Sequence, residues 1–110
     1  MKVINFAESN TIISQYMSEL RDVTIQSDRL RFRRNLERIG QIMAYEISKT
    51  IDYKQVEVKT PLGIANCNRI ADKVVLATIF RAGVPFHLGF LNYFDDAENA
   101  FVSAYRKYKE

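Results

Sequence analysis

The stretch Val74-Val75-Leu76-Ala77-Thr78-Ile79-Phe80 constrains the fold more than any other, being apolar except for Thr78 and without alternation. A strand wetted on one side alternates, so a short continuous run reads as a strand covered on both faces, as in a parallel sheet sheathed by helices. Arg81-Ala82-Gly83 breaks the run at once. A helix over 84–93 follows, with Val84, His87, Leu88 and Leu91 at helical steps. Pro85 is acceptable in its first turn, where an N–H would have no partner, whereas Gly89 weakens its interior. Asp95-Asp96 ends the helix, and Ala100 to Tyr105 forms a second apolar strand. Strand, loop, helix, strand is a βαβ crossover, expected to be right-handed with parallel strands.

Upstream, Ile13, Tyr16, Met17 and Leu20 recur on one face of a helix over 10–21. Ser27 suits an N-cap, with Asp28 favouring the dipole of the first turn. Behind it, Phe32, Leu36, Ile39, Met43 and Ile47 form the apolar stripe of a long helix over 27–49. Gly40 lies inside that helix at a cost of about 1 kcal/mol relative to alanine, so either another backbone approaches it closely or it is merely tolerated. Residues 2–6 suit a short strand or an ordered arm. Gln55 to Lys59 alternates, Thr60-Pro61-Leu62-Gly63 carries turn chemistry, and Ile64 to Ile70 returns. This hairpin, over 54–70, has few large apolar residues and is expected to project as an arm able to grip a second subunit.

A chain of 110 residues, 47% apolar and 26% charged, accommodates one hydrophobic core. No run approaches the roughly 20 apolar residues of a membrane span, and the N-terminus has no secretory h-region. Lone Cys67 excludes an internal disulfide and a multi-cysteine metal site. A soluble, cytoplasmic protein is expected, with no membrane partner. The net charge is +3, and six arginines (Arg21, Arg29, Arg31, Arg33, Arg34, Arg38) crowd residues 21–38. That cluster reads first as a solvated helix face; phosphates, nucleic acid or an acidic partner are the functional alternatives. No aromatic residues interleave with Arg31, Arg34 and Arg38, as single-strand binding would require.

Ligands of open α/β sheets gather beyond the carboxyl ends of the strands. Arg81 directly follows the first predicted strand and Arg106 the second. Neighbouring parallel strands lie about 5 Å apart, so two guanidinium forks there can share one phosphate or pyrophosphate. Gly83 lets backbone approach the ligand, and the next helix aims its N-terminus at the same place. The plain alternative for each arginine is a surface ion pair. His87 reads as a packed, hydrogen-bonded histidine rather than a base, and Cys67 as a small, partly buried side chain. Asp95-Asp96 reads as a turn rather than a Mg²⁺ site, and Tyr45-Glu46 as packing and surface. Neither the P-loop nor the dinucleotide glycine pattern occurs. Two parallel strands cannot close a core, so the chain reads as a single incomplete domain, the first half of an α/β fold.

Leu20-Arg21-Asp22, Met43-Ala44-Tyr45-Glu46, Thr60-Pro61-Leu62-Gly63, Ile79-Phe80-Arg81-Ala82-Gly83 and Tyr105-Arg106, in this order and spacing, resemble the N-terminal half of the uracil phosphoribosyltransferases, type I phosphoribosyltransferases. The resemblance implies a truncated α/β fold of N-terminal helices, projecting hairpin arm and first βαβ unit. It implies joining of uracil to 5-phosphoribosyl 1-pyrophosphate (PRPP), giving UMP and pyrophosphate, with Mg²⁺ carried by PRPP and no protein ligand to the metal. Arg81, Ala82, Gly83 and Arg106 are then substrate-binding residues, and Arg81-Ala82-Gly83 a pyrophosphate loop with a non-proline cis peptide. Val84-Pro85-Phe86 departs from the leucine and small residues of many relatives. The family's acidic ribose-5-phosphate loop and its uracil pocket are missing from these residues, so the chain alone is expected to be inactive. A homodimer or higher oligomer is implied. Two readings from other classes remain: a small RNA-binding or regulatory module built on the arginine helix, and a bare dimerisation module.

Overall fold

The computed structural model describes residues 3–107. Helix α1 spans Ile12–Arg21 and α2 spans Arg29–Ser48. Strands β1 (Tyr53–Thr60) and β2 (Gly63–Ile70) follow, then β3 (Val75–Phe80), helix α3 (Val84–Leu91) and strand β4 (Glu98–Ser103). Among the described residues no strand forms near the start: Asn5 caps a short 3₁₀ turn, Phe6–Glu8, through its side chain, while Lys2 lies outside the described residues.

The helix starts follow side-chain chemistry closely. Thr11 opens α1, its Oγ1 accepting from the Ile13 N–H at 3.2 Å while Ser14 Oγ accepts from the Thr11 N–H. Asp28, not Ser27, caps α2 by accepting from the Arg31 N–H at 3.1 Å. A carboxylate at the N-cap also meets the positive end of the helix dipole.

A polar cluster and two apolar residues pin α1 to α2. Ile13 and Ile39 are buried, and Asn35 is the most enclosed polar side chain of the described core. Buried Glu19 accepts from Gln15 Nε2 and Arg31 Nη1, each at 2.9 Å, and from Asn35 Nδ2 at 3.3 Å. Three donors around one carboxylate satisfy its lone pairs and hold its pKa below the usual range, led by the Gln15 bond and then Arg31.

Helix α3 crosses α2 at two glycines. A Cβ on Gly40 would stand 2.5 Å from the Phe86 carbonyl oxygen, and one on Gly89 would strike the Glu37 carbonyl. Another backbone does approach Gly40, and the helix-propensity penalty there is the cost of that approach. Asn92 Nδ2 donates to Glu37 Oε1 at 3.0 Å and fastens the far end of the crossing.

Strands β1 and β2 form an antiparallel hairpin in register from Tyr53↔Ile70 to Thr60↔Gly63. Gly63 takes a φ of 133° at the tight turn, a conformation open to glycine. Among the described residues the hairpin is tied to the helices at its base, where the Tyr53 hydroxyl donates to Ser48 O at 2.6 Å, and Leu62 at its tip is 100% exposed. It projects as an arm.

Strands β3 and β4 pair in parallel, Val75↔Glu98 through Phe80↔Ser103. The expected burial on both faces is not observed. Helix α3 packs on β3 from the side of the half-buried Leu76 and Thr78, whereas Val75 (56%) and Ile79 (62%) stand open on the other side and every residue of β4 is exposed. One helix covers one side of β3, and no described element lies over the other. Two ends also moved. Helix α3 stops at Leu91, where Tyr93 and Phe94 N–H groups turn back to the Phe90 carbonyl, and β4 runs over 98–103 rather than 100–105. The Ala97 N–H closes that turn on Phe94 O, so Glu98 already emerges opposite Val75.

Two outcomes follow. Gly89→Ala forces the α2–α3 crossing apart and is expected to cost about 2 kcal/mol in urea unfolding, as overpacking does. Glu19, its folded-state pKa lowered, stabilises the protein above the ordinary carboxylate range and loses that contribution as pH falls through its folded value. Glu19→Gln should therefore be less stable than wild type at neutral pH, the gap closing in acid; a gap independent of pH would refute the assignment.

Candidate functional site

Strand β3 delivers its chain end directly into a three-residue turn, Arg81-Ala82-Gly83, ahead of α3. The Phe80–Arg81 peptide is cis and non-prolyl, as the resemblance implied for this loop. The turn folds back on its own strand: the Gly83 N–H donates to Ile79 O at 3.1 Å and the Val84 N–H to Arg81 O at 3.1 Å. A Cβ on Gly83 would collide with Thr78 Oγ1 and lie 2.8 Å from Ile79 O. Only a residue without a side chain can sit that close to the strand. Thr78, the single polar residue of the apolar run, therefore faces the turn. A lone hydroxyl two residues before a strand's end was the available signal for it, and sequence reasoning passed over it.

Helix α3 then leaves with Gly83 as N-cap and Pro85 in its first turn, without a side-chain cap on its N-terminal amides. Its positive end and the Arg81 side chain share one end of the sheet, a setting that favours an anion. Arg81 is exposed, and among the described residues neither Arg81 nor Arg106 takes part in an ion pair.

The placement of Arg106 differs from expectation. Strand β4 ends at Ser103, so Arg106 comes three residues after the last paired position instead of directly after the strand. Ala104, Tyr105 and Arg106 are exposed, irregular chain. Three extended residues reach about 10 Å at most, so Arg106 stays at the same end of the sheet as Arg81. No hydrogen bond joins it to the Arg81–Gly83 turn among the described residues.

The arginine helix is largely engaged within the chain. Arg31 pairs with Glu19 at 2.9 Å, Arg34 with Glu37 at 3.7 Å, and Arg38 bonds Asn35 while its guanidinium lies 5.3 Å from the Tyr16 ring centre. Of the three side chains in the predicted stripe, two help dock α1 on α2.

His87 is buried, and its Nε2 lies 2.6 Å from Asn99 Oδ1, the packed, hydrogen-bonded state expected of it. Asn99 was placed outside the second strand by sequence reasoning and so escaped notice. Cys67 is half-buried opposite Val56 in the arm. Asp95 and Asp96 line a shallow cavity of about 270 Å³ with Asp72, Lys73 and Tyr93, at the opposite end of the sheet from Arg81. Among the described residues no three His, Cys, Asp or Glu side chains gather closely enough to hold a metal ion. No described helix is long and apolar enough to cross a membrane.

Comparison with known proteins bears on this geometry. A uracil phosphoribosyltransferase from Porphyromonas gingivalis is 62% identical over 110 residues, covering all of this chain and 51% of that protein. One from Pyrococcus furiosus is 38% identical over 101 residues, covering 90% of this chain and 43% of the relative. The chain thus spans about half the length of the curated relatives it matches. The structure of the AQ2163 protein from Aquifex aeolicus superposes with a TM-score of 0.68 at 26% identity, over 84% of this chain and 44% of that one. The family profile described as uracil phosphoribosyltransferase matches residues 7–110. With the parallel βαβ unit, the arm and the Arg81–Gly83 turn in the expected order, the chain belongs to the uracil phosphoribosyltransferase family.

Proposed function

We propose that this chain supplies the pyrophosphate side of a uracil phosphoribosyltransferase site, in a protein that joins uracil to PRPP and releases pyrophosphate and UMP. The observation that carries the reading is a pair of arginines, without ion-pair partners among the described residues, beyond the carboxyl ends of adjacent parallel strands, with Arg81 in a glycine-seated turn that opens a helix. In this reaction the bond between ribose C1 and the pyrophosphate oxygen breaks as uracil N1 attacks C1 and gives up its proton to solvent. Negative charge then accumulates on the departing pyrophosphate. Guanidinium groups and helix N-terminal dipoles fixed where that charge develops lower the barrier, because they need no reorganisation during reaction.

In this reading Arg81 and the Ala82-Gly83 backbone receive the pyrophosphate, and Arg106 approaches it from the neighbouring strand. Mg²⁺ enters with PRPP as part of the substrate, neutralising diphosphate charge, and the described residues offer it no cluster of their own. Contacts to the ribose 5′-phosphate and to uracil come from sequence outside these residues, in keeping with relatives of about twice this length. Charge stabilisation without positioning of the other reactant leaves most of the barrier in place, so the 110-residue chain alone is inactive. The projecting arm, with Leu62 exposed at its tip, grips a second copy.

Incubated with uracil and Mg²⁺-PRPP, the chain should form no UMP, whereas the full-length protein should. Calorimetric titration of the chain with Mg²⁺-pyrophosphate should show binding, weakened about tenfold or more by Arg81→Ala, the scale of a lost charge-assisted pair. Binding unaffected by Arg81→Ala would move the anion site elsewhere. In sedimentation, Leu62→Asp should shift the chain from dimer to monomer, and an unchanged distribution would free the arm from that role.

A further inference from the structure

Beneath the turn, one buried polar side chain links the two strands through the helix between them. His87 lies in the first half of α3, and its N–H donates to Gly83 O at 2.9 Å. Its ring leaves the helix toward β4, placing Nε2 2.6 Å from Asn99 Oδ1. Asn99 Nδ2 donates to Ala97 O at 3.3 Å, and with Oδ1 turned to the ring the bond is made by the His87 tautomer that carries its proton on Nε2. The same ring stands 5.2 Å from that of Phe101, and Phe101 meets Phe80 edge-to-face at 5.5 Å. Phe80 is the residue that leads into Arg81. His87 thus touches the turn by its backbone, β4 by its hydrogen bond, and the end of β3 through Phe101.

We propose that His87 is a positioning residue, which through Asn99 and Phe101 sets the Arg81–Gly83 turn against β4 and so the anion site it forms. It makes no contact with substrate in this role. The inference rests on the pyrophosphate reading above. A leucine at position 87 fills similar space and loses the bond, so α3 and its turn can shift relative to β4. Misplacement of about 1 Å in a polar site is enough to cost an order of magnitude or more.

The test is calorimetric titration of Mg²⁺-pyrophosphate into wild type, His87→Leu, Asn99→Ala, the double variant and His87→Gln, at a temperature where circular dichroism shows each folded. His87→Leu and Asn99→Ala should each weaken binding about tenfold, and the double variant no further, as expected of two partners acting as one unit. His87→Gln, whose amide can still donate to Asn99 Oδ1, should recover most of the affinity. Should His87→Leu fail to fold, Asn99→Ala at an exposed position decides by the same criterion. Wild-type affinity retained in Asn99→Ala, or additive losses in the double variant, overturns the role of His87 alone. Absence of binding in the wild type overturns the pyrophosphate reading and this inference with it.

Discussion

The crossing of α2 and α3 at Gly40 and Gly89 is the contact on which the rest of the molecule depends. Two helix backbones meet there without side chains between them, Gly89 lying against the Glu37 carbonyl and Gly40 against that of Phe86. Such an approach fixes separation tightly, because carbonyl and Cα atoms cannot yield as the end of a flexible side chain can. The long helix, held to α1 by the Glu19 cluster, becomes a floor for α3. Helix α3 in turn is the only described helix that packs on β3. The turn before it is therefore held from below by a packing contact some 40 residues away in the chain, at Gly40.

From that floor the site is assembled by short, directional contacts. Gly83 folds onto Ile79 and Thr78, the Val84 N–H closes on Arg81, and His87 reaches across to Asn99. The Gly83 and Val84 contacts lie at the carboxyl end of β3, while the His87 bond reaches β4 nearer its amino end, where Asn99 stands opposite Leu76. Among the described residues Arg81 is left without an ion-pair partner, while Arg31 and Arg38 of the basic segment help dock α1 on α2. Arg31 illustrates the contrast, since its guanidinium is consumed by a buried carboxylate. Charge that looks available by composition is partly structural.

The open face of the sheet belongs to the same picture. Val75, Ile79 and Val102 present apolar surface away from α3, and the curated relatives are about twice as long as this chain. A two-stranded parallel sheet with one helix buries one side only. The continuous apolar run suggests two covered faces, whereas the described residues cover one side of β3 only.

Much of the architecture was legible from residue pattern alone. The stripe from Phe32 to Ile47, the alternation of Gln55 to Lys59, the turn at Thr60 to Gly63 and the break at Arg81 to Gly83 each reflect chemistry among near neighbours, and each element formed within a few residues of its expected place. The order of strand, turn, helix and strand, with an arginine at the strand tip, came from the same local information. Where β4 begins and ends, and hence that Arg106 follows it at a distance, depended on pairing with β3 and on how the Phe94–Ala97 turn closes. The bond from His87 to Asn99, the collision that reserves position 83 for glycine, and the capture of Arg31 by Glu19 likewise involve groups that only packing brings together. Periodicity and turn preference act over a few residues and can be read along the chain, whereas register, burial and partner choice are set by how separate elements meet, which tertiary structure alone decides.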